Sequence, residues 1–213
     1  MTRDKIIEVA SSYLGAKQGD GRHIQIIAVY NSIYPLPRGY KMTLTDSWCA
    51  AFVSAIFSIC GAKAEDFPFE CSCIKMIDGA KANGMWVEKD TYVPQIGDLL
   101  LYAWQDSGNY ATTDCLLAPN HIGIVSKISG ENMTIIEGNY GKACKERSMK
   151  INGRYIRGYI TPKYDIVAKD APSAWAKDAW ETAVTNGIFD GTNPGGAVTR
   201  EQLAVVLDRL RLL

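Results

Sequence analysis

Two groups in this sequence are able to share a proton in a nucleophilic reaction: the thiol of Cys49 and the imidazole of His121. Thr45, Asp46 and Ser47, all helix-capping types, stand directly ahead of the apolar run at residues 48–59, which closes at Gly61. If Asp46 caps that helix, Cys49 falls in its first turn. There the free backbone N–H groups and the helix dipole favour a thiolate, and equally an oxyanion forming on an attacked carbonyl. Helical steps from Cys49 reach Phe52, Val53, Ile56, Phe57 and Cys60, so the thiol lies on the face that packs inward. A buried cysteine is ordinarily a small apolar group, and it is the place in the helix that argues for chemistry.

A cysteine nucleophile needs a base, and the chain has two histidines. His121 opens a β-branched run, 121–128, which is joined to a second, 133–139, through Ser129-Gly130-Glu131-Asn132. A hairpin with an odd loop centred on Gly130 pairs residues whose numbers sum to 260, as 121 and 139 do. His121 then faces Asn139 and is diagonal to Glu137, with all three on one sheet face, so either Glu137 or Asn139 can orient the imidazole. An even loop would send His121 to the opposite face. His23 sits at an ordinary helix start and is assigned a structural role.

The elements that must hold these groups follow from periodicity. Ile6, Ile7, Val9, Ala10, Tyr13 and Leu14 recur at helical spacing over residues 2–14, and Gly15 supplies a stop. The PQIGD turn at 94–98 launches a strand over 99–104, and a polar loop leads on to Asn120. Asn152-Gly153 predicts a further hairpin joining a strand near 147–151 to one over 154–160. Helices first and then four or five antiparallel strands define an α+β domain over 1–164. A linker at 165–172 leads to a separate unit at 173–213. Its first helix carries Trp175, Ala179, Trp180 and Ala183, and a Gly/Pro turn at 190–196 follows. Thr199 and Gln202 form a capping box for a second helix bearing Leu203, Val206, Leu207 and Leu210.

Composition narrows the partners. Lys and Arg total 23 and match 23 Asp and Glu, with no basic stripe, so no nucleic acid is expected. No apolar run approaches the roughly 18 residues of a membrane span, and the N-terminus lacks the apolar core of a secretion signal. The expectation is synthesis in the cytoplasm, no membrane contact, and release by other means. Six cysteines without a secretion signal predict reduced thiols rather than a disulfide framework.

The segments DSWCAAFVSAIF, GDLLLY, HIGIVSKI and TIIEGN, in that order, resemble the CHAP family of cysteine- and histidine-dependent amidohydrolases and peptidases. These are papain-like peptidoglycan hydrolases frequent in phage endolysins, and the resemblance covers most of 1–164. It implies a nucleophile at Cys49, a base at His121, an orienting acid at Glu137 and the family's following asparagine at Asn139. It also implies a papain-like α+β fold and peptidoglycan as substrate, cut by an N-acetylmuramoyl-L-alanine amidase or an endopeptidase. The rivals are a protein-directed papain-like protease and a catalytically silent wall-binding module. Some members carry an acidic calcium loop ahead of the nucleophile. No Asp-x-Asp series stands there, so neither calcium nor any other cofactor is expected.

The tail, with WAKDAWETAVTNGIFDGT and VTREQLAVVLDRL, resembles an S-layer homology motif, which implies binding to a secondary wall polymer. A unit of about 40 residues buries too little apolar area to stand alone, so 173–213 is expected to dock or to form a homo-oligomer. Cys71-Ser72-Cys73 lacks zinc spacing and is taken as a packed turn lining the groove; no metal is assigned, even with Cys60, Cys115 or Cys144 as further ligands. Among Trp48, Trp86, Tyr102 and Trp104, Trp48 is the best candidate to stack on sugar rings, with Asp46 as a second substrate contact.

Overall fold

Thr2 accepts a hydrogen bond from the Lys5 amide at 3.2 Å and starts α1 (Arg3–Ser12). Asp20 does the same for the His23 amide at 2.8 Å and starts α2 (Gly21–Asn31). The apolar run then forms α3 (Cys49–Ile59), buried all round from Cys49 to Phe57, and α4 (Cys73–Ala82) follows under a Ser72 cap. This computed structural model describes residues 1–89, 91–105, 117–165, 172–189, 194–195 and 200–209.

The strands are β1 (Trp86–Val87), β2 (Leu99–Tyr102), β3 (His121–Ser129), β4 (Asn132–Glu137), β5 (Lys145–Lys150) and β6 (Ile156–Ile160). They form one antiparallel sheet in the order β1-β6-β2-β3-β4-β5. Strand alternation gives the sheet two apolar faces. Leu99, Leu101, Ile122, Ile124 and Ile136 join the main core with α1, α2 and α3. Leu100, Tyr102, Val125, Ile135 and Tyr159 form a second cluster on the other face.

The β3–β4 register was expected from an odd loop, and it arises differently. Ser129 pairs with Asn132 across an even, two-residue loop, Gly130-Glu131, so at the loop paired numbers sum to 261. Gly130 has φ 57, and a positive φ at the first of two loop residues is the II′ hairpin geometry. The register shifts between Val125 and Lys127, a β-bulge that restores the sum of 260 at Ile124–Ile136. The bulge therefore returns His121 and Glu137 to one face.

The Asn152-Gly153 hairpin does not form. β5 pairs with β4 at the sheet's edge, while β6 inserts between β1 and β2. A type I′ turn needs positive φ at both central residues; Asn152 has φ 54, Gly153 is not positive, and Tyr155 takes φ 71 instead. Burial decides between the strands: β5 is mostly exposed and suits an edge, whereas Ile156, Gly158, Tyr159 and Ile160 of β6 are buried. Residues 71–73 are not merely a turn, because Cys73 begins α4. Its buried positions Cys73, Met76, Ile77 and Ala80 repeat at helical spacing.

The chain divides into two compact units, Met1–Asp165 and Ile166–Leu213. In the second, a short 3-10 turn at Ala174–Ala176 runs into α5 (Lys177–Thr185), and α6 (Arg200–Arg209) follows. Trp180 stacks on Phe189 at 5.1 Å, and Trp175 is 91% exposed. Cys115, Thr199, Leu210, most of the linker and most of the 190–196 turn lie outside the described residues, as does the Gln202 side chain. Among the described residues no helix is long and apolar enough to cross a membrane.

Candidate active site

Cys49 is the first residue of α3, and His121 the first of β3. What brings these termini together is the chain just past β4. A Cβ on Gly138 would lie 2.4 Å from Phe52 Cβ and 3.0 Å from Trp48 Cε3, so the Glu137 end of the sheet is packed against the first turn of α3. A side chain at 138 would push the helix start away from the imidazole.

The Glu137 carboxylate is fully buried and pairs with His121 Nε2 at 2.9 Å. Its side chain reaches the imidazole across Gly123, where a Cβ would come within 2.8 Å of Glu137 Cγ. Because Nε2 is taken by the carboxylate, Nδ1 is the nitrogen left for the thiol. Arg147 holds the other side of Glu137, with Nε to Oε1 at 2.6 Å and an NH2 to Oε2 at 3.1 Å. Its guanidinium lies 3.9 Å from the Tyr140 ring centre and 4.6 Å from that of Trp104. Tyr102 packs beside His121, with ring centroids 5.7 Å apart.

The electrostatics follow from these contacts. Cys49 is held well below the usual thiol range: a hydrogen bond from Cys73 favours the thiolate most, and burial opposes it. The His121 hydrogen bond and charge and the Ala50 backbone N–H add to the lowering. Burial alone would lower His121, but its hydrogen bonds to Cys49 and Glu137 and their charges raise it to about 9. Glu137 is kept low by His121 and Arg147 despite burial. Both directions favour a thiolate beside an imidazolium over a neutral pair.

Cys49, His121 and Glu137, expected together from the sequence, lie in one place in the structure. Asn139 is not joined to them: it lies beyond β4 in a turn with φ 60, and the imidazole bonds to Glu137 instead. Asp46 does not cap α3. Its carboxylate turns back to the Thr43 amide at 2.7 Å and to the Tyr40 hydroxyl, and residue 48 occupies the cap position without a side-chain bond. Trp48 is fully buried against His23 and Phe52, which removes it as a stacking surface for substrate. His23 is buried in α2 and accepts the Gly19 amide on Nδ1.

Two residues of the site escaped the sequence reading. Arg147 is legible only once β5 is paired with β4, since Arg147 lies opposite Ile135, two positions from Glu137 on the same face. Cys73 Sγ lies 3.9 Å from Cys49 Sγ, a contact that needs α4 as a helix. The five described cysteines are free, and among the described residues no three His, Cys, Asp or Glu side chains gather as metal ligands.

A buried thiolate at a helix start, with an imidazolium oriented by a carboxylate, is the arrangement of a cysteine nucleophile and its base. Residues 39–139 match the CHAP domain family. The CHAP match contains Cys49, Cys73, His121 and Glu137, and ends before Arg147. Two solved structures are similar, the crystal structure of Ly7917 and that of Ly7917 with the hydrolyzing product of MDP, at 17% and 16% identity. Each has a TM-score of 0.44 and covers 76% of this chain, and the chain spans 63% of each of theirs, under two thirds of their length. No curated protein matches the sequence.

Proposed function

We propose that this chain is an endolysin-type peptidoglycan hydrolase with Cys49 as nucleophile. The bond cut is either the amide between muramic acid and L-alanine or a peptide bond of the stem or cross-bridge. The observation that carries this reading is Cys49 at the start of α3, its thiol lowered in part by His121, whose Nε2 pairs with Glu137, all in a segment that matches the CHAP domain.

In this mechanism the Cys49 thiolate attacks the carbonyl carbon, and the C=O electron pair moves to oxygen. The free backbone N–H groups at the start of α3 stabilise that oxyanion. His121 gives its Nδ1 proton to the leaving amine as the C–N bond breaks, leaving a thioester. The neutral imidazole then takes a proton from water, which attacks the thioester and releases the acid, and the thiolate–imidazolium pair returns. Glu137 holds the ring throughout, and Arg147 fixes Glu137.

For residues 173–213 the proposed roles are binding to a secondary wall polymer and self-association, supported by the motif resemblance and by exposed Trp175. The full chain should sediment with intact walls and much less with walls stripped of that polymer; equal binding to both would remove this role.

The enzymatic test uses purified sacculi, casein and muropeptide mass spectrometry. The wild type should clear sacculi and leave casein intact, releasing either free lactyl ends or new stem amino groups. Cys49→Ala should bind walls and clear nothing. Undiminished clearing by that variant would end the proposal.

A further inference from the structure

Cys73 makes and breaks no bond in the mechanism above, where its hydrogen bond favours the Cys49 thiolate, yet its sulfur touches the nucleophile at 3.9 Å. The two thiols begin two helices, α3 and α4, whose N-termini converge on one point, and they are 7% and 8% exposed. We propose that Cys49 and Cys73 are a peroxide-responsive pair, in which a hydroperoxide oxidises Cys49 and Cys73 captures the product as a disulfide that reversibly shuts the site.

The first step is attack of the Cys49 thiolate on the peroxide. An S–O bond forms, the O–O bond breaks, and hydroxide (or an alkoxide) leaves with the electron pair. Cys49 becomes a sulfenic acid, oxidised by two electrons, and the peroxide is reduced by two. In the second step the Cys73 sulfur attacks the sulfenyl sulfur. The S–S bond forms, the S–O bond breaks, and the departing hydroxide takes the Cys73 proton and leaves as water. A disulfide needs the sulfurs at about 2.05 Å, so from 3.9 Å they must close by roughly 1.9 Å.

Several features favour Cys73 as the resolving thiol. Cys71, two residues away, is engaged by the Arg38 guanidinium at 3.1 Å. Cys60 faces the Lys5 carbonyl at 3.7 Å, and Cys144 is fully buried. While Cys49 is a thiolate, the Cys73 thiol is pushed up by its hydrogen bond to that sulfur, by burial and by the neighbouring charge. The first and last of these vanish when Cys49 carries oxygen, so oxidation itself frees Cys73 to react. A thiol already in contact also outruns a second peroxide arriving from solution, which protects Cys49 from the irreversible sulfinate.

The effect on lysis rests on Cys49 being the nucleophile; the disulfide rests on geometry alone, and the experiment separates them. The reduced full chain is treated with hydrogen peroxide, alkylated, and digested without reductant for mass mapping, with sacculus clearing followed in parallel. The wild type should become two hydrogens lighter, yield a Cys49–Cys73 cross-linked peptide, lose clearing, and regain it on adding dithiothreitol. Cys73→Ser should instead gain two or three oxygens at Cys49 and lose clearing for good. Wild-type protein in which Cys49 is over-oxidised while Cys73 stays alkylatable would overturn the pairing, as would a Cys49–Cys71 link. Full recovery of oxidised Cys73→Ser by dithiothreitol would overturn it too. A Cys49–Cys73 link in protein whose reduced form never clears walls would uphold the pair and sink the hydrolase reading.

Discussion

Replacing Glu137 by glutamine tests the orienting role with a change of one atom. The wild-type carboxylate accepts Arg147 Nε on Oε1 at 2.6 Å, and both His121 Nε2 and an Arg147 NH2 on Oε2, at 2.9 and 3.1 Å. In Glu137→Gln the shortest bond keeps the amide oxygen at the Oε1 position, so the NH2 group faces His121 Nε2. That nitrogen must then accept, the ring proton moves to Nδ1, and the base can no longer take the thiol proton. The imidazolium also loses its counter-charge. His121 rises from 6.5 to about 9 through Cys49 and Glu137 together, against burial, which at 1.36 kcal/mol per unit is about 3 kcal/mol. Loss of most of that support costs about two decades in rate, and a wrong tautomer brings the loss toward about 10⁴. The assay is the initial clearing rate of purified sacculi at low substrate, measured against pH. The alkaline limb should fall from about 9 to the ordinary imidazole range, and adding Arg147→Met should return at least tenfold by letting the amide flip. A Glu137→Gln rate within about threefold of wild type, with the limb still near 9, would refute this reasoning.

Arg147→Met alone leaves Glu137 buried with His121 as its remaining ionic partner, and because the Arg147 side chain is 22% exposed the expected loss is about 2–3 kcal/mol in urea unfolding. Gly138→Ala should cost about 3 kcal/mol and abolish clearing, since the new methyl meets Phe52 at 2.4 Å; wild-type stability would show that the helix start yields freely. Stability against pH should be flat where two imbalances cancel. Between 6.5 and about 9 the folded His121 carries a proton its unfolded form lacks, while folded Cys49, lowered from 9.0, lacks one its unfolded form keeps. Below 6.5 the Cys49 imbalance remains and that of His23, lowered by burial, joins it, so stability should fall as pH falls by at least about 1.4 kcal/mol per unit until Cys49 protonates, and Cys49→Ala should lose the Cys49 share of that slope.

The placement of the candidate site was legible where it depended on residue type and short-range pattern. Cys49 at a helix start and His121 two β positions from a carboxylate across one hairpin needed no distant information. The hairpin register illustrates how local rules reach the right answer by a different route: the loop is even, and the bulge near Ser126 supplies the missing residue. No turn signal in Ser129-Gly130-Glu131-Asn132 announces a bulge on the strand behind it. What stayed hidden depended on pairing between remote segments. Asn152-Gly153 is a strong local hairpin signal, but the buried slot between β1 and β2 outweighs it for β6. With β5 wrongly paired, Arg147 had no neighbour to reveal it. Asp46 shows the opposite failure, a good capping type whose carboxylate finds nearer donors in Thr43 and Tyr40.

The account stands or falls on the charge state of Cys49, which is read directly by its alkylation rate with iodoacetamide, followed by peptide mass mapping across pH. The prediction is a rate already at its plateau near neutrality in the wild type, and in His121→Ala a curve shifted upward toward the ordinary thiol value of 9.0. A wild-type rate that climbs about tenfold per pH unit up to that value, unchanged by His121→Ala, would mean that the thiol and the imidazole do not share a proton.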